Sequence, residues 1–398
     1  MEAEASDAPF DPTNVDLTTA DPVQIICFLS AEGNEYDGRL GIRIAALFVI
    51  LIVSTVCTVF PVAARRAPGL NVPSYIYLFA RYFGAGVIVA TAFIHLLAPA
   101  YEAIGPASCV GMTGGWAEYA WPPAIALVSI MLIFLVDVIA ERYAEAKFGA
   151  THGHDGGLEN GRTEAEVAGE ATSSKVTSMA GFCKYFFSTY VISLFRSRAN
   201  GYMYVAQEPK EASNENGKSN ASGEYVGDVE SVYNRRDFYS QFSAFLILEF
   251  GVIFHSVIIG LALGVAGEEF NTLFPVLVFH QGFEGLGIGA RMSAIPFKTG
   301  SWLPWILCLA YGLSTPIAIA IGLGLRGSYN PGSFTANVVS GILDSLSAGI
   351  LIYTGLVELL ARDFLFDPKR TRDGRKLAFM LTCTILGAGL MALLGKWA

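Results

Sequence analysis

The feature that most limits this chain is a series of windows, each about 20 residues long, that hold almost no charge. Eight can be marked, at roughly 41–63, 75–99, 121–141, 238–266, 272–292, 301–325, 335–360 and 375–396. A hydrocarbon layer about 30 Å thick needs about 20 apolar residues of helix to cross it. Inside lipid, only a helix or a closed barrel satisfies its own backbone. The expected fold is therefore an all-α polytopic membrane protein, with eight transmembrane helices in a bundle. Composition agrees: 53% of the 398 residues are apolar and only 15% are charged, against about 25% charged in a soluble domain. That balance argues against a cytosolic enzyme, and the net charge of -9 argues against nucleic acid as a partner. The six cysteines show no CxxC spacing, so no zinc-finger module is present.

Lys and Arg set the orientation. With the N-terminus outside, 22 of the 26 basic residues fall on the cytosolic side, and only Arg39, Arg43, Arg326 and Lys396 remain outside. Both termini are then extracytosolic. Residues 1–40 form an acidic outer tail with nine acids in the first 38 positions, and the apolar run Val23–Leu29 is too short for a signal peptide. Residues 41–146 carry spans one to three, 147–236 a cytosolic and mostly disordered loop, and 237–398 spans four to eight. Within the loop, 181–195 reads as an interfacial helix rather than a ninth span. Cys27 and Cys109 share the oxidising face, so a disulfide between them is expected. Glu102, with other acids, lies where it would gather cations at the entrance.

An ionisable group at membrane depth costs a few kcal/mol or more, so each one is a functional candidate. The fourth span carries Glu249 and His255; the fifth carries His280, Gln281 and Glu284; the second carries His95. Asp137, Asp344 and Glu358 complete the set, with Glu358 near the inner end of the seventh span, where it could line an exit path. His280 and Glu284 stand four residues apart and share one helix face. At about 1.5 Å per residue, His255, His280 and Glu284 reach similar depths near mid-membrane, with His95 slightly higher. Imidazoles and a carboxylate converging at one depth suit a borderline divalent cation such as Zn²⁺, with a metal site between helices 4 and 5. The pattern leaves Fe²⁺, Mn²⁺ and Cd²⁺ open and asks for no cofactor beyond the ion. His152 and His154 in THGHD make at most a weak metal site in the loop. Pro316 should kink the sixth span.

Four segments, IHLLAPAYE, FHSVIIGLALG, HQGFEGLGIGAR and LSAGILIYTGLVELLAR, resemble the fungal and plant branch of the ZIP (Zrt/Irt-like) metal-ion transporters, over residues 40–398. The resemblance implies zinc influx toward the cytosol, with His255, His280 and Glu284 at family ligand positions and His95 where the second span contributes one. Other members build a binuclear centre on HNxPEG. Here Ser256 replaces the Asn, Ile259 stands in place of the bridging Glu, and Gln281 replaces another acidic ligand, so a single-metal site is expected. The resemblance further implies elevator-type alternating access, a homodimer and a plasma-membrane location. Two rival readings stay open: an intramembrane zinc-dependent hydrolase with Glu284 as its base, and a metal sensor signalling through the loop.

Overall fold

The computed structural model describes residues 15, 20–30, 36–66, 72–148, 221–298, 300–366, 371 and 373–397. Most of the acidic tail, the histidines of THGHD and the expected interfacial helix at 181–195 lie outside those residues. Among the described residues there are no strand, two short 3-10 turns at Val110–Met112 and Gly114–Trp116, and nine helices longer than one turn. They are α1 (Pro22–Ser30), α2 (Leu40–Arg66), α3 (Ser74–Ile104), α4 (Trp121–Phe148), α5 (Ala221–Val265), α6 (Phe270–Ala294), α7 (Leu303–Leu325), α8 (Phe334–Phe366) and α9 (Gly374–Leu394). The chain is an all-helical polytopic membrane protein: α2, α3, α4, α5, α7, α8 and α9 are long and apolar enough to cross a membrane.

The window expected as a fifth span forms α6, a helix of 25 residues. It falls short of the other seven in apolarity because His280, Gln281, Glu284 and Arg291 interrupt it. Helix α5 begins at Ala221, inside the stretch expected to be loop. Once a helix is nucleated by an apolar span, extending it costs little. It also runs unbroken through His255, as expected of a segment without proline. Helix α7 continues through Pro316, and three other helices also hold an internal proline, Pro61 in α2, Pro99 in α3 and Pro275 in α6. Helices α3 and α8 each contain a π-helical stretch, at Thr91–Leu97 and Thr354–Phe366. Such wide turns commonly mark functional positions.

The described parts of 1–133, 244–294 and 302–398 form one compact unit, which contains every residue of the candidate site below. The other unit comprises the described parts of 134–243 and 295–301, and holds a ring cluster of Phe238, Phe242 and Phe297 with centroids 5.6 to 5.9 Å apart.

Without a hydrophobic force between helices in lipid, close backbone packing does most of the holding. Two crossings show it. A Cβ at Gly84 of α3 would stand 2.1 Å from Gly287 Cα of α6, so the backbones touch there. A Cβ at Gly264 of α5 would stand 3.0 Å from Gly322 Cα of α7.

A polar fastening joins α2 to the end of α5. Arg43 is fully buried, and its guanidinium lies between the rings of Tyr36 and Phe270, 4.7 and 4.8 Å from their centroids. It donates to the carbonyls of Leu263 and Gly264 at 3.2 and 3.3 Å, and to that of Ala266. These are the carbonyls that a helix C-terminus leaves without intrahelical partners, and a cation there also complements the dipole. A sequence count treats Arg43 as an outer-loop charge; in the fold it is a helix cap supplied from another helix.

Asp37 completes the cluster, accepting from Arg43 at 2.9 Å and from Arg39. The Arg43 guanidinium holds the Asp37 carboxyl below its ordinary range, down to about 2. A carboxyl whose folded pKa is lowered stabilises the fold above its unfolded pKa, near 4, and loses that contribution as pH falls through about 2. Thermal unfolding followed from pH 5 down to pH 2.5 should therefore show a shallower acid decline in Asp37→Asn than in the natural chain.

Cys27 on α1 and Cys109 after α3 form the expected disulfide, with Cα atoms 4.6 Å apart and a sequence separation of 82. Removing a native disulfide costs about 2–5 kcal/mol. Cys27→Ser or dithiothreitol should lower the unfolding temperature in detergent, and the two treatments together should do no more than either alone.

Candidate metal centre

Helices α5 and α6 are joined by a short turn, and that turn sets the site. His255 lies ten residues before the end of α5 at Val265, and His280 ten residues after the start of α6 at Phe270. Each is about 15 Å from the turn, so two helices running in opposite directions bring their imidazoles level. Glu284 follows one turn deeper on the same face of α6.

The structure brings these three together. Their ligand atoms all lie within 4.8 Å of one another, and His280 Nε2 is 3.5 Å from Glu284 Oε1. The rings of His255 and His280 are 5.3 Å apart between centroids. All three residues are buried, at 1%, 2% and 0% exposure. Both nitrogens of His255, Nε2 of His280 and both oxygens of Glu284 lack a hydrogen-bond partner. Leaving so many buried polar atoms unpaired would cost several kcal/mol. A cation recovers that cost. A tetrahedral ion with bonds of about 2.0–2.1 Å keeps its ligand atoms about 3.3 Å apart, so the widest pair needs to close by no more than about 1.5 Å.

His95 borders this group rather than completing it. Its ring meets that of His280 edge-on at 4.7 Å, but its Nε2 lies 2.9 Å from the Met391 carbonyl of α9. It sits in the π-helical stretch of α3, where a wide turn re-aims the side chain.

The remaining expected residues divide by surroundings. Ser256 and Gln281 are fully buried, with Ser256 Oγ unpartnered. Gln281 is held by Tyr311 of α7, whose hydroxyl donates to Gln281 Oε1 at 2.9 Å and lies 3.1 Å from its backbone oxygen. Glu249 is 4% exposed, with Oε1 unpartnered, six residues before His255 on α5. Glu358 is engaged by cations: Arg362 donates to it at 2.9 Å and Arg291 of α6 lies 3.8 Å away. Close by in sequence, Arg81 of α3 clasps Asp363 through two bonds of 2.9 and 2.7 Å. Glu102 is exposed on the last turns of α3.

Sequence reasoning missed Tyr311. A phenol in the middle of a span, in LAYGLSTP, was the available signal, because a buried Tyr hydroxyl usually finds a partner. Asp344 of α8 is 4% exposed, and its Oδ1 has no partner.

The profile of the family described as "ZIP Zinc transporter" matches residues 40–395. Zinc-regulated transporter 1 of Saccharomyces cerevisiae is 50% identical, covering 98% of this chain and 97% of that protein. Zinc-regulated transporter 1 of Schizosaccharomyces pombe is 41% identical over 92% of this chain and 87% of its own length. Zinc transporter 5 of Oryza sativa subsp. japonica is 31% identical over 94% and 91%. No solved structure matches the chain significantly.

Proposed function

From the premise that this chain belongs to the ZIP zinc transporter family, we propose that it carries zinc across a membrane into the cytosol through the His255–His280–Glu284 cluster. The observation that carries the reading is that cluster: three buried groups of zinc-ligand type, level on adjacent helices, with their ligand atoms orphaned. One carboxylate and two imidazoles supply a single-metal site, since Ser256 stands where a second metal would need an amide, and Ile259 and Gln281 where it would need acids. Fe²⁺, Mn²⁺ and Cd²⁺ fit the same donors less selectively.

In this reading α6 is the eighth span, shielded from lipid by its neighbours, and both termini lie outside the plasma membrane. The domain layout of an outer tail, three spans, a cytosolic loop and five further spans follows from that orientation. Access alternates by an elevator-type movement of α2, α5, α6 and α7 against α3, α4, α8 and α9. Arg43 ties α2 to α5, and the Gly264–Gly322 crossing ties α5 to α7, which supports treating them as one body. A homodimer is the expected assembly, and α4 is the span least covered by the rest of its own chain. Membership in a transporter family, not an enzyme family, removes the hydrolase reading.

Radioactive zinc uptake into sealed proteoliposomes tests the proposal. Saturable accumulation inside the vesicles supports it. Stoichiometric binding without accumulation would replace transport by sensing.

A further inference from the structure

The geometry points to Asp344 as a second cation-holding position, one step outward from the His255–His280–Glu284 cluster and on the path that feeds it. This rests on the zinc-transport reading of that cluster.

Three close contacts fix where Asp344 faces. A Cβ at Gly251 of α5 would meet Leu351 Cδ1 of α8 at 2.5 Å. One at Gly341 of α8 would meet Ile104 of α3 at 2.7 Å, and one at Gly355 would meet Val89 of α3 at 2.9 Å. Asp344 is seven residues before Leu351, two turns along the same face. At 100° per residue it stands about 20° from Leu351, which faces α5, and about 60° from Gly341, which faces α3. Asp344 therefore faces the seam between α3 and α5, the two helices that carry His95 and His255.

Its depth follows from the same contacts. Leu351 is level with Gly251, so Asp344 lies about 10 Å from that level toward the α5–α6 turn. His255 lies about 6 Å in the same direction. Counted along α3, where Gly341 is level with Ile104, Asp344 stands opposite Tyr101 and about 9 Å beyond His95. By both rulers the carboxylate is on the outer side of the cluster, about 4 Å beyond His255 on the first and about 9 Å beyond His95 on the second.

A carboxylate that is 4% exposed at this depth, with an unpartnered oxygen, needs a positive partner to offset its burial. A divalent cation in transit supplies one. An oxygen ligand alone holds such an ion more loosely than imidazoles and a carboxylate together, so the ion passes on to the cluster.

The test compares the full-length natural chain, Asp344→Asn and Asp344→Glu, each in sealed proteoliposomes supplied with zinc. Asp344→Asn keeps the shape and removes the charge; its KM for zinc should rise about tenfold while turnover changes less than about twofold. Asp344→Glu restores the charge and should return KM to within about threefold of the natural value. Equilibrium zinc binding by the cluster in detergent should stay at natural affinity in both variants. If the natural chain accumulates no zinc, the transport reading fails. If it does, an unchanged KM in Asp344→Asn overturns the role of Asp344 and leaves transport standing. A fall in turnover alone, or failure of both variants to purify as monodisperse protein, makes Asp344 a packing residue and also overturns the proposal.

Discussion

Alanine at His255, His280 or Glu284 should each lower saturable zinc uptake by about 100-fold or more. Each removes one of the three groups whose ligand atoms lie within 4.8 Å of one another, and the remaining two make a poor tetrahedral site. His95→Ala should cost far less, about three- to tenfold. It stands outside that 4.8 Å group, with its ring edge-on to His280 and its Nε2 on the Met391 carbonyl, so it shapes the wall beside His280. The measurement is initial-rate uptake in proteoliposomes at matched protein density. A His95→Ala loss as large as that of His280→Ala would make His95 a full ligand and redraw the site.

Gly84→Val should abolish both the folded yield and zinc binding. At this crossing a single added Cβ would stand 2.1 Å from Gly287 Cα, which is backbone and cannot swing aside. Overpacking by one methyl in a tight core costs about 1–3 kcal/mol, and a branched side chain against backbone costs more. The consequence reaches the site, because Gly287 is one turn beyond Glu284 on α6. Moving α6 away from α3 separates His280 from His95 and shifts Glu284 out of register with His255. Gly84→Ala should show the graded version, with a lower unfolding temperature and weaker binding, read by fluorescence-detected gel filtration and equilibrium zinc titration. Natural affinity and stability in Gly84→Val would mean that this crossing does not set the position of α6.

The helical spans were legible because lipid leaves a chain few options: long runs without charge, which must satisfy their own backbone. The three cluster residues were legible for a related reason. Ionisable groups are rare in such runs, and helix rise converts position in sequence into depth. Other features were hidden. Arg43 looks like a loop charge until the end of α5 is placed against it, and Glu358 looks like a free carboxylate until Arg291 and Arg362 arrive beside it. The π-helical stretches around His95 and Glu358 leave no local pattern, since the wider turn is stabilised by neighbouring helices.

The amino-acid sequence by itself determined the class of the protein, the level of His255, His280 and Glu284 and, through the positions of Cys27 and Cys109, the disulfide. Depth needs no tertiary information, because a helix rises about 1.5 Å per residue whatever surrounds it. Only the tertiary structure decided which groups meet and which are left unpaired: His95 against His280, Gln281 against Tyr311, Asp344 against no partner at its Oδ1. Those outcomes depend on the rotation of each helix and on which neighbour it touches. Both are settled by packing between segments far apart in the chain, such as the Gly84–Gly287 crossing.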